Sequence, residues 1–339
     1  MPRRGHFLFD LPRFRRFMLP ISRDRCPMTS DLDAPPAAPA RPEEALKIVP
    51  ARRPLTWLAA AAVAVLVAMA GHALVTNQAW EWSVVADYVF ADAVLSSVVL
   101  TIELTVFGVV AGFLLGTILA LMRISRNPLL RSVSWTYTWI FRSVPLILQL
   151  LFWYNLAILY NQLSFGVPFG PSFVSFDTMS LIPPFLAAGL GLGLHQAAYS
   201  GEIVRAGLLS VDQGQREAAA ALGIPASRQF RRIVLPQAMR SIVPNAANEI
   251  IGMVKNTSQV YVMALPELFY QVQVIYSRSG RVIPLLLVAT VWYLVLTTLL
   301  SIAQFYVERH YAKGALRTVP PTPLQKARAG LAKLKAAAR

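Results

Sequence analysis

The sequence contains little of what metal, redox and nucleotide chemistry requires. Cys26 is its single cysteine, so no disulfide framework and no pair of thiolate ligands can form within the chain. The four histidines, at positions 6, 72, 195 and 310, are too scattered for a helical metal-binding pair. None of the six lysines completes a G-x-x-x-x-G-K-[ST] phosphate loop. We therefore expect no catalytic residue, no metal site and no cofactor in this chain, and any nucleotide-driven step would need a site on another chain.

Charged residues are also scarce. Only 14% of the 339 residues are Asp, Glu, Lys or Arg, whereas 55% are hydrophobic and the mean hydropathy is +0.50. A chain of this length and composition is too apolar to be soluble. Because a helix needs ~20 residues to cross a bilayer, we predict an all-α, polytopic membrane helix bundle. Its six predicted spans are residues 55–75, 93–122, 134–160, 182–209, 241–265 and 282–307.

The net charge of +15 indicates a membrane topology and not a nucleic-acid partner. Of the 32 Lys and Arg residues, 27 lie in the two terminal segments and in residues 123–131 and 216–240, whereas the opposite loops hold only Arg278 and Arg281. Basic residues concentrate in cytoplasmic loops. We therefore place both termini and the 210–240 loop in the cytoplasm.

The two ends of the chain differ in composition from its apolar portion. Pro and Ala dominate residues 34–42, so we expect residues 1–54 to be a largely disordered cytoplasmic tail. The Arg-rich stretch 1–25 leaves three interpretations open, namely a membrane-surface amphipath, a transit-like sequence, or a true start at Met28, which we favour. The first apolar span suits a signal anchor better than a cleavable signal peptide. Residues 312–339 form a second, basic cytoplasmic tail.

Residues 217–236, EAAAALGIPASRQFRRIVLP, carry the most specific pattern in the chain, because they fit E-A-A-x(3)-G-x(9)-I-x-L-P at every fixed position. Alanines 218–221 favour a short helix over residues 215–222, Gly223 can end it in the left-handed conformation, and Pro225 is tolerated where the next helix begins. We therefore predict a helix, a sharp turn and a helix, with a flat face that another protein can approach closely. The fixed positions are Glu217, Ala218, Ala219, Gly223, Ile233, Leu235 and Pro236.

This pattern resembles the cytoplasmic coupling loop of permease subunits in binding-protein-dependent ABC importers. Three further segments resemble those of the polar amino-acid subfamily, which includes histidine, glutamine and glutamate importers: FRSVPLILQLLFWYN at 141–155, AAYSGEIVRAGLLSVDQGQREAAAALG at 197–223 and NEIIGMVKNTS at 248–258. The chain departs from the family at Pro225, where Ser or Thr often caps the second helix, and at Gln259, where leucine is usual.

The resemblance covers about residues 93–311 and implies a type I ABC importer permease domain with a five-helix core. The span at 55–75 is then an extra N-terminal transmembrane helix. The implied function is movement of a polar amino acid across the bacterial cytoplasmic (inner) membrane by a subunit without an ATPase site. ATP and magnesium would be bound by ABC ATPase subunits docked at the 210–240 loop. The other implied partners are a periplasmic or extracellular amino-acid-binding protein, a second permease chain in a homodimer or heterodimer, and membrane lipid.

Several polar residues fall inside the predicted spans. Leaving such groups unpaired in hydrocarbon is costly, so they are candidates for a translocation path, and both charge signs suit a zwitterionic amino acid. Interhelical packing is an equal alternative for Glu249 and Lys255. For Arg142, and for Glu202 with Arg205 at i,i+3, we favour structural roles, the latter as a local ion pair. The path candidates are Glu103, His195, Glu249, Lys255, Asn256, Thr257 and Ser258.

Two other interpretations explain part of the sequence. A secondary transporter could couple transport to protons or sodium through Glu103, Glu249 and Lys255, and it would need no ATPase. A non-transporting scaffold explains the helices but not the spacing of the loop. In all cases, glycines at 108, 112 and 116 predict the close approach of another helix, and Pro145 predicts a bend or tight packing in the third span.

Overall fold

The computed structural model describes residues 54–167 and 170–311, together with residue 325. Apart from Pro54 and residue 325, the two predicted tails lie outside the described residues, as does Met28. The chain divides into two units, residues 1–67 and 68–339, and the division falls within the first helix.

Helices make up most of the described residues, in agreement with the predicted fold class. A short antiparallel hairpin, which the sequence patterns do not predict, is the exception. Three turns of other helix types occur, a 3-10 turn at Gln78–Trp80, a π turn at Phe230–Val234 and a 3-10 turn at Thr257–Met263. The remaining elements in chain order are α1 Pro54–Thr76, α2 Trp82–Val89, α3 Asp92–Ile124, α4 Pro128–Ser143, α5 Leu146–Tyr154, α6 Leu156–Leu159, β1 Gln162–Gly166, β2 Ser172–Asp177, α7 Thr178–Leu181, α8 Pro184–Leu209, α9 Gln213–Ala221, α10 Ala226–Gln229, α11 Leu235–Asn256, α12 Leu268–Ser279 and α13 Val282–Tyr311.

Three helices in the described part of the chain are long and apolar enough to cross a membrane, namely residues 58–76 of α1, α3 and α13. Helices α8 and α11 have 26 and 22 residues, which also meets the length requirement, but they carry more polar groups. The predicted third span, residues 134–160, is wrong as a single helix. It is divided among α4, α5 and α6. Pro145 separates α4 from α5, because it cannot continue α4 and forces Val144 into an extended conformation.

The centre of the bundle is a close, parallel contact between α3 and α8. A Cβ atom on Gly112 would lie 2.6 Å from Cβ of Gln196, and one on Gly116 would lie 2.8 Å from the backbone nitrogen of Gly201. The Ser200 hydroxyl donates to the Gly112 carbonyl at 2.8 Å. The glycines of the second span therefore act as the sequence predicts, since they allow two helix backbones to approach where a side chain would not fit.

Parallel packing requires that the chain return between α3 and α8. Helices α4 to α6 make this return, and the hairpin β1–β2 with the short helix α7 connects them to α8. The strands pair antiparallel from Gln162 opposite Asp177 to Gly166 opposite Ser172, with an irregularity after Phe165. The hairpin is largely exposed. Because it precedes the N-terminal end of α8, it lies at the opposite end of the bundle from the α8–α9 connection.

A buried carboxylate joins the last two helices, α12 and α13. Glu267, which is fully buried, caps α12 by accepting from the backbone nitrogens of Phe269 and Tyr270 at 2.9 and 2.8 Å, and it also accepts from the Tyr293 hydroxyl of α13 at 3.1 Å. The backbone nitrogen of Leu268 donates to the Thr101 hydroxyl of α3 at 3.1 Å. These bonds give hydrogen-bond partners to the backbone N–H groups at the start of the buried end of α12.

Candidate coupling loop and translocation path

The E-A-A segment folds as a helix, a turn and a second helix. The Asp212 carboxylate caps α9 by accepting from the backbone nitrogen of Gly214 at 2.6 Å. Gly223 has φ +67°, and the backbone nitrogens of Gly223 and Ile224 donate to the carbonyls of Ala220 and Ala219, both at 3.0 Å. This pair of bonds is a Schellman motif, which ends a helix sharply and favours glycine at the left-handed residue.

The exposed face of the turn is open. No atom lies within 4 Å of a Cβ built on Gly223. Glu217 and Ala218 are exposed, Ala219 is buried against the bundle, and Leu222 has 78% of its surface accessible. An exposed leucine next to an open, small-residue face is the type of surface that a partner protein covers.

The second half of the pattern begins α11. Ile233 lies in the π turn, and Leu235 and Pro236 are the first two residues of the helix. The backbone stays helical from α10 through the π turn into α11, and the wider π turn relieves the clash between the proline ring and the carbonyl four residues before. The proline thus accounts for the change of helix type within the loop.

Two side chains that the pattern does not include hold the loop to the bundle. The Arg216 guanidinium donates to the Leu208 carbonyl in the last turn of α8. The Gln229 amide donates to the Arg216 carbonyl at 3.0 Å and so ties α10 to α9. Beneath them, an apolar cluster joins the loop to the ends of α8 and α11. Its members are Ala120, Val204, Leu208, Val211, Val234, Ala238 and Ile242.

The predicted path residues do not form one cluster. Glu103 is exposed on α3 and lines an apolar concavity of about 620 Å³ with Phe107 and Phe185. Glu249 and Lys255 lie six residues apart on α11, which separates them by roughly 120° around the helix axis. Among the described residues the salt bridges are Arg205–Glu202 and Arg281–Glu81, so the structure does not pair Glu249 with Lys255.

Glu249 is paired instead with a residue that sequence reasoning missed. The buried amide of Gln196 on α8 donates to Glu249 Oε2 at 3.0 Å. Because Gln196 also contacts Gly112, it brings α3, α8 and α11 together. In a second interhelical hydrogen bond, the Gln304 amide of α13 donates to Asn248 Oδ1 of α11 at 2.9 Å. A polar residue on a glycine-spaced helix face is a sequence signal for such a contact.

The remaining candidates have local roles in the structure. The hydroxyls of Thr257 and Ser258 donate to the carbonyls of Val254 and Lys255 at 2.7 and 2.6 Å, which caps the end of α11. Thr257 is fully buried, Asn256 is half-buried, and Lys255 is exposed. These bonds satisfy carbonyls that the end of the α-helix leaves open.

A second set of polar residues lies where α4 and α8 meet. The Arg142 guanidinium sits 5.2 Å from the centre of the Tyr199 ring, which in turn lies 5.0 Å from the His195 ring. His195 Nδ1 is buried and has no hydrogen-bond partner in the described structure. Arg142 is thus held by a cation–π contact. The ion pair predicted for Glu202 and Arg205 is confirmed at 2.7 Å.

The fold and the loop together are those of an ABC transporter permease, a multi-pass membrane protein. The chain belongs to the family described as binding-protein-dependent transport system inner membrane component, whose profile matches residues 112–313. Proteins of this family are the membrane-embedded subunits of their transporters, and the match includes both the loop and the helices around it.

Two similar proteins and one solved structure also belong to amino-acid transport systems. The chain is 41% identical over 298 residues to an arginine transport system permease protein of Corynebacterium glutamicum, covering 86% of this chain and 90% of that protein. It is 33% identical over 222 residues to a glutamate/aspartate import permease protein of Escherichia coli, covering 64% of this chain and 93% of that protein. A crystal structure of an amino acid ABC transporter with histidines matches with a TM-score of 0.55 at 32% identity, covering 64% of this chain and 94% of that one.

Proposed function

We propose that this permease moves a polar amino acid inward and that ATP hydrolysed by a separate subunit, docked on the 210–240 loop, drives the movement. The observation that carries the proposal is the geometry of the loop. Helix α9 of the loop ends at Gly223, which is left-handed and has open space around its Cβ position. The loop exposes Glu217, Ala218 and Leu222, and Arg216 binds it to the end of α8. A rigid protrusion with a small-residue face suits docking to a partner protein.

The anchoring explains how docking would act on the membrane helices. Arg216 holds the loop to the end of α8, and the apolar cluster beneath it includes residues of both α8 and α11. When two ATPase subunits close on ATP, a displacement of the loop would move α8 and α11 as rigid bodies, because packed interiors transmit strain instead of absorbing it. Alternating access follows from this movement. ATP and magnesium belong to the ATPase, and this chain contributes no covalent chemistry.

The substrate class is proposed from the relatives. The relatives above carry arginine or glutamate/aspartate in their names, and all are amino-acid systems. Glu103, Glu249 and Lys255 carry both charge signs, but the structure does not bring them together, so they add no support for a particular substrate. From the family we infer a periplasmic or extracellular amino-acid-binding protein at the hairpin end and a second permease chain in a homodimer or heterodimer. The basic-residue asymmetry supports a cytoplasmic position for both termini.

The test is affinity purification of the tagged, full-length chain from its native membrane in mild detergent, with mass spectrometry of the copurifying proteins. We expect an ABC ATPase with the wild type and its loss with Gly223→Asp, because the new side chain puts a Cβ atom and a negative charge at the docking turn. Gly223→Asn, which tolerates the left-handed conformation as Asp does but carries no charge, should retain most of the ATPase.

The matched control is Gly280→Asp. Gly280 ends α12 with φ +72° and open space around its Cβ position, so the backbone strain is the same but the residue is remote from the loop. The ATPase should remain bound to this variant. Equal ATPase recovery with Gly223→Asp and wild type would refute docking at this turn. Absence of any ATPase from the wild type would favour an ion-coupled transporter.

A further inference from the structure

A cavity of about 510 Å³ opens at the loop end of the bundle, where the end of α3, the start of α4 and the end of α8 meet. Three arginines dominate its lining, and no acidic residue takes part in it. The lining residues are Arg123, Ile124, Arg131, Ser132, Trp135, Arg205 and Leu209.

Two of the three guanidinium groups have no counter-ion among residues 54–167 and 170–311. Arg205 is paired with Glu202 at 2.7 Å. Arg123 and Arg131 take part in no salt bridge within the described residues, and Arg123 Nη1 reaches a carbonyl, that of Arg131, only at 3.5 Å. The C-terminal end of α3 offers Arg123 a partial negative charge, but it does not neutralise two guanidinium groups. The cavity therefore has an excess of donors and positive charge.

The side chains beside the cavity are those of a membrane interface. Arg131, Trp135 and Trp139 follow one another at intervals of four residues, so they lie on one face of α4. The two tryptophans are half exposed and stacked with ring centroids 6.0 Å apart. Tryptophan is enriched at the level of lipid headgroups. A basic cavity at one end of an exposed aromatic stripe matches a phospholipid, whose charged headgroup lies at one end of its acyl chains.

We propose that this cavity binds the phosphate of an anionic phospholipid, with Arg123 and Arg131 as the principal donors and Trp135 and Trp139 along the acyl chains. Guanidinium groups suit phosphate because their planar N–H donors match two of its oxygens. Basic pockets between transmembrane helices bind such headgroups. The Ser132 hydroxyl supplies a further donor at the cavity wall. The site is independent of the ATPase and of the amino acid transported.

The experiment is native mass spectrometry of the full-length chain in detergent, titrated with phosphatidylglycerol or phosphatidylcholine of identical acyl chains. The test variant is Arg123→Gln/Arg131→Gln. The control is Arg231→Gln/Arg232→Gln, which removes the same charge from exposed arginines of the loop. We expect the test variant to need roughly tenfold more phosphatidylglycerol for equal occupancy, since each removed donor served a charged acceptor. The control should bind as the wild type does.

Phosphatidylcholine carries the same phosphate but no net charge, so its occupancy should fall less than that of phosphatidylglycerol. The thermal unfolding temperature of each variant reports whether that variant is folded. If the double variant does not fold, Arg131→Gln alone, in the first turn of α4, should give a smaller loss in the same direction. Equal phosphatidylglycerol occupancy in test and control variants would overturn the proposal. Competition by millimolar inorganic phosphate separates the two sources of the anion, because a lipid site should resist it, whereas full displacement by phosphate would overturn the assignment to lipid.

Discussion

Gln196 shows how one buried amide can organise a membrane bundle. Its Cβ and Cγ pack against Gly112, and its side-chain amide donates to Glu249 at 3.0 Å. In hydrocarbon, an acceptor that loses its donor has no water to replace it. The Glu249 carboxylate is therefore placed by α8, although it belongs to α11. A change at Gln196 should act through Glu249.

We predict an energetic coupling between these two residues. Gln196→Leu should lower the Tm of the purified permease by roughly 2–4 °C, because an interhelical hydrogen bond in a membrane protein contributes about 1 kcal/mol. Gln196→Leu/Glu249→Leu should lower it by less than the sum of the single changes. Gln304→Leu, which breaks the more exposed bond to Asn248, is the control for a general effect of an added leucine. Strictly additive changes in Tm would show that the Gln196–Glu249 bond does not form.

The break between α4 and α5 shows how an element is ended inside a bundle. Pro145 lacks the N–H that would continue the helix, so carbonyl groups before it are left without their usual donors. The Gln149 amide replaces those donors and binds the carbonyls of Phe141 and Val144 at 2.9 and 2.8 Å. A side chain thus stabilises a bend that the backbone alone would leave unsatisfied.

Gln149→Leu should therefore destabilise the permease by about 1–3 kcal/mol, the cost of leaving buried carbonyls unpaired. The buried Gln149 Oε1, which has no partner in the described structure, is also removed, so the loss should fall toward the lower end of this range. The loss of stability is measured by heating the protein and quantifying the remaining folded fraction by size-exclusion chromatography. Gln162→Leu, on the exposed hairpin, should leave Tm unchanged. An unchanged Tm in Gln149→Leu would mean that Gln149 does not support the bend.

We predict that the transmission of motion from the 210–240 loop to α8 depends on the Arg216 side chain, which binds the Leu208 carbonyl. Arg216→Met keeps the apolar stem of the side chain but removes the bond to the Leu208 carbonyl. We expect ATPase recovery to stay at the wild-type level, because the exposed face of α9 is intact. The amount of amino acid taken up per ATP hydrolysed in proteoliposomes should fall severalfold, because the loop then moves without α8.

The control for this prediction is Arg228→Met, an exposed arginine of α10. Its uptake per ATP hydrolysed should match that of the wild type. Arginine is the first substrate to test, given the relative named above. If Arg216→Met transports with unchanged stoichiometry, Arg216 has no part in transmission and the apolar cluster must carry it alone.

The molecule as a whole has two chemically different ends. The hairpin end carries few basic residues, and the loop end carries Arg123, Arg126, Arg131 and the arginines of residues 216–240. Such an asymmetry orients a membrane protein, because basic segments are retained on the cytoplasmic side. The parallel contact of α3 with α8 puts the hairpin and the 210–240 loop at opposite ends of the bundle. We therefore predict that the hairpin lies outside and the loop inside.

The single cysteine makes this orientation testable. In a Cys26→Ser background, Ser175→Cys on the hairpin should react with a membrane-impermeant maleimide in intact cells whose outer barrier has been opened. Ser227→Cys in α10 should react only after the cytoplasmic membrane is broken. Both serines are exposed, so accessibility of the side chain does not limit either reaction. The opposite labelling pattern would invert the topology and remove the proposed ATPase site from the cytoplasm.

The sequence by itself determined the membrane class, the helix content, the glycine-mediated approach of two helices, and the helix–turn–helix of the loop. Each of these depends on local rules, namely the length of apolar runs, the size of glycine and the conformation that ends a helix. The family was evident for the same reason, since the loop and the FRSVP segment are contiguous motifs. Pro145 likewise indicates a bend without any knowledge of the neighbours.

Only the tertiary structure decided which polar residues meet. Glu249 and Lys255 look like a pair in sequence, but the helix places them on different faces, and Gln196 reaches Glu249 from 53 residues away. Arg216, Gln149 and the arginines of the cavity acquire their partners, or lack them, through the packing of α3, α4 and α8. Such contacts depend on which helix faces approach, and a backbone periodicity specifies a face without specifying its neighbour.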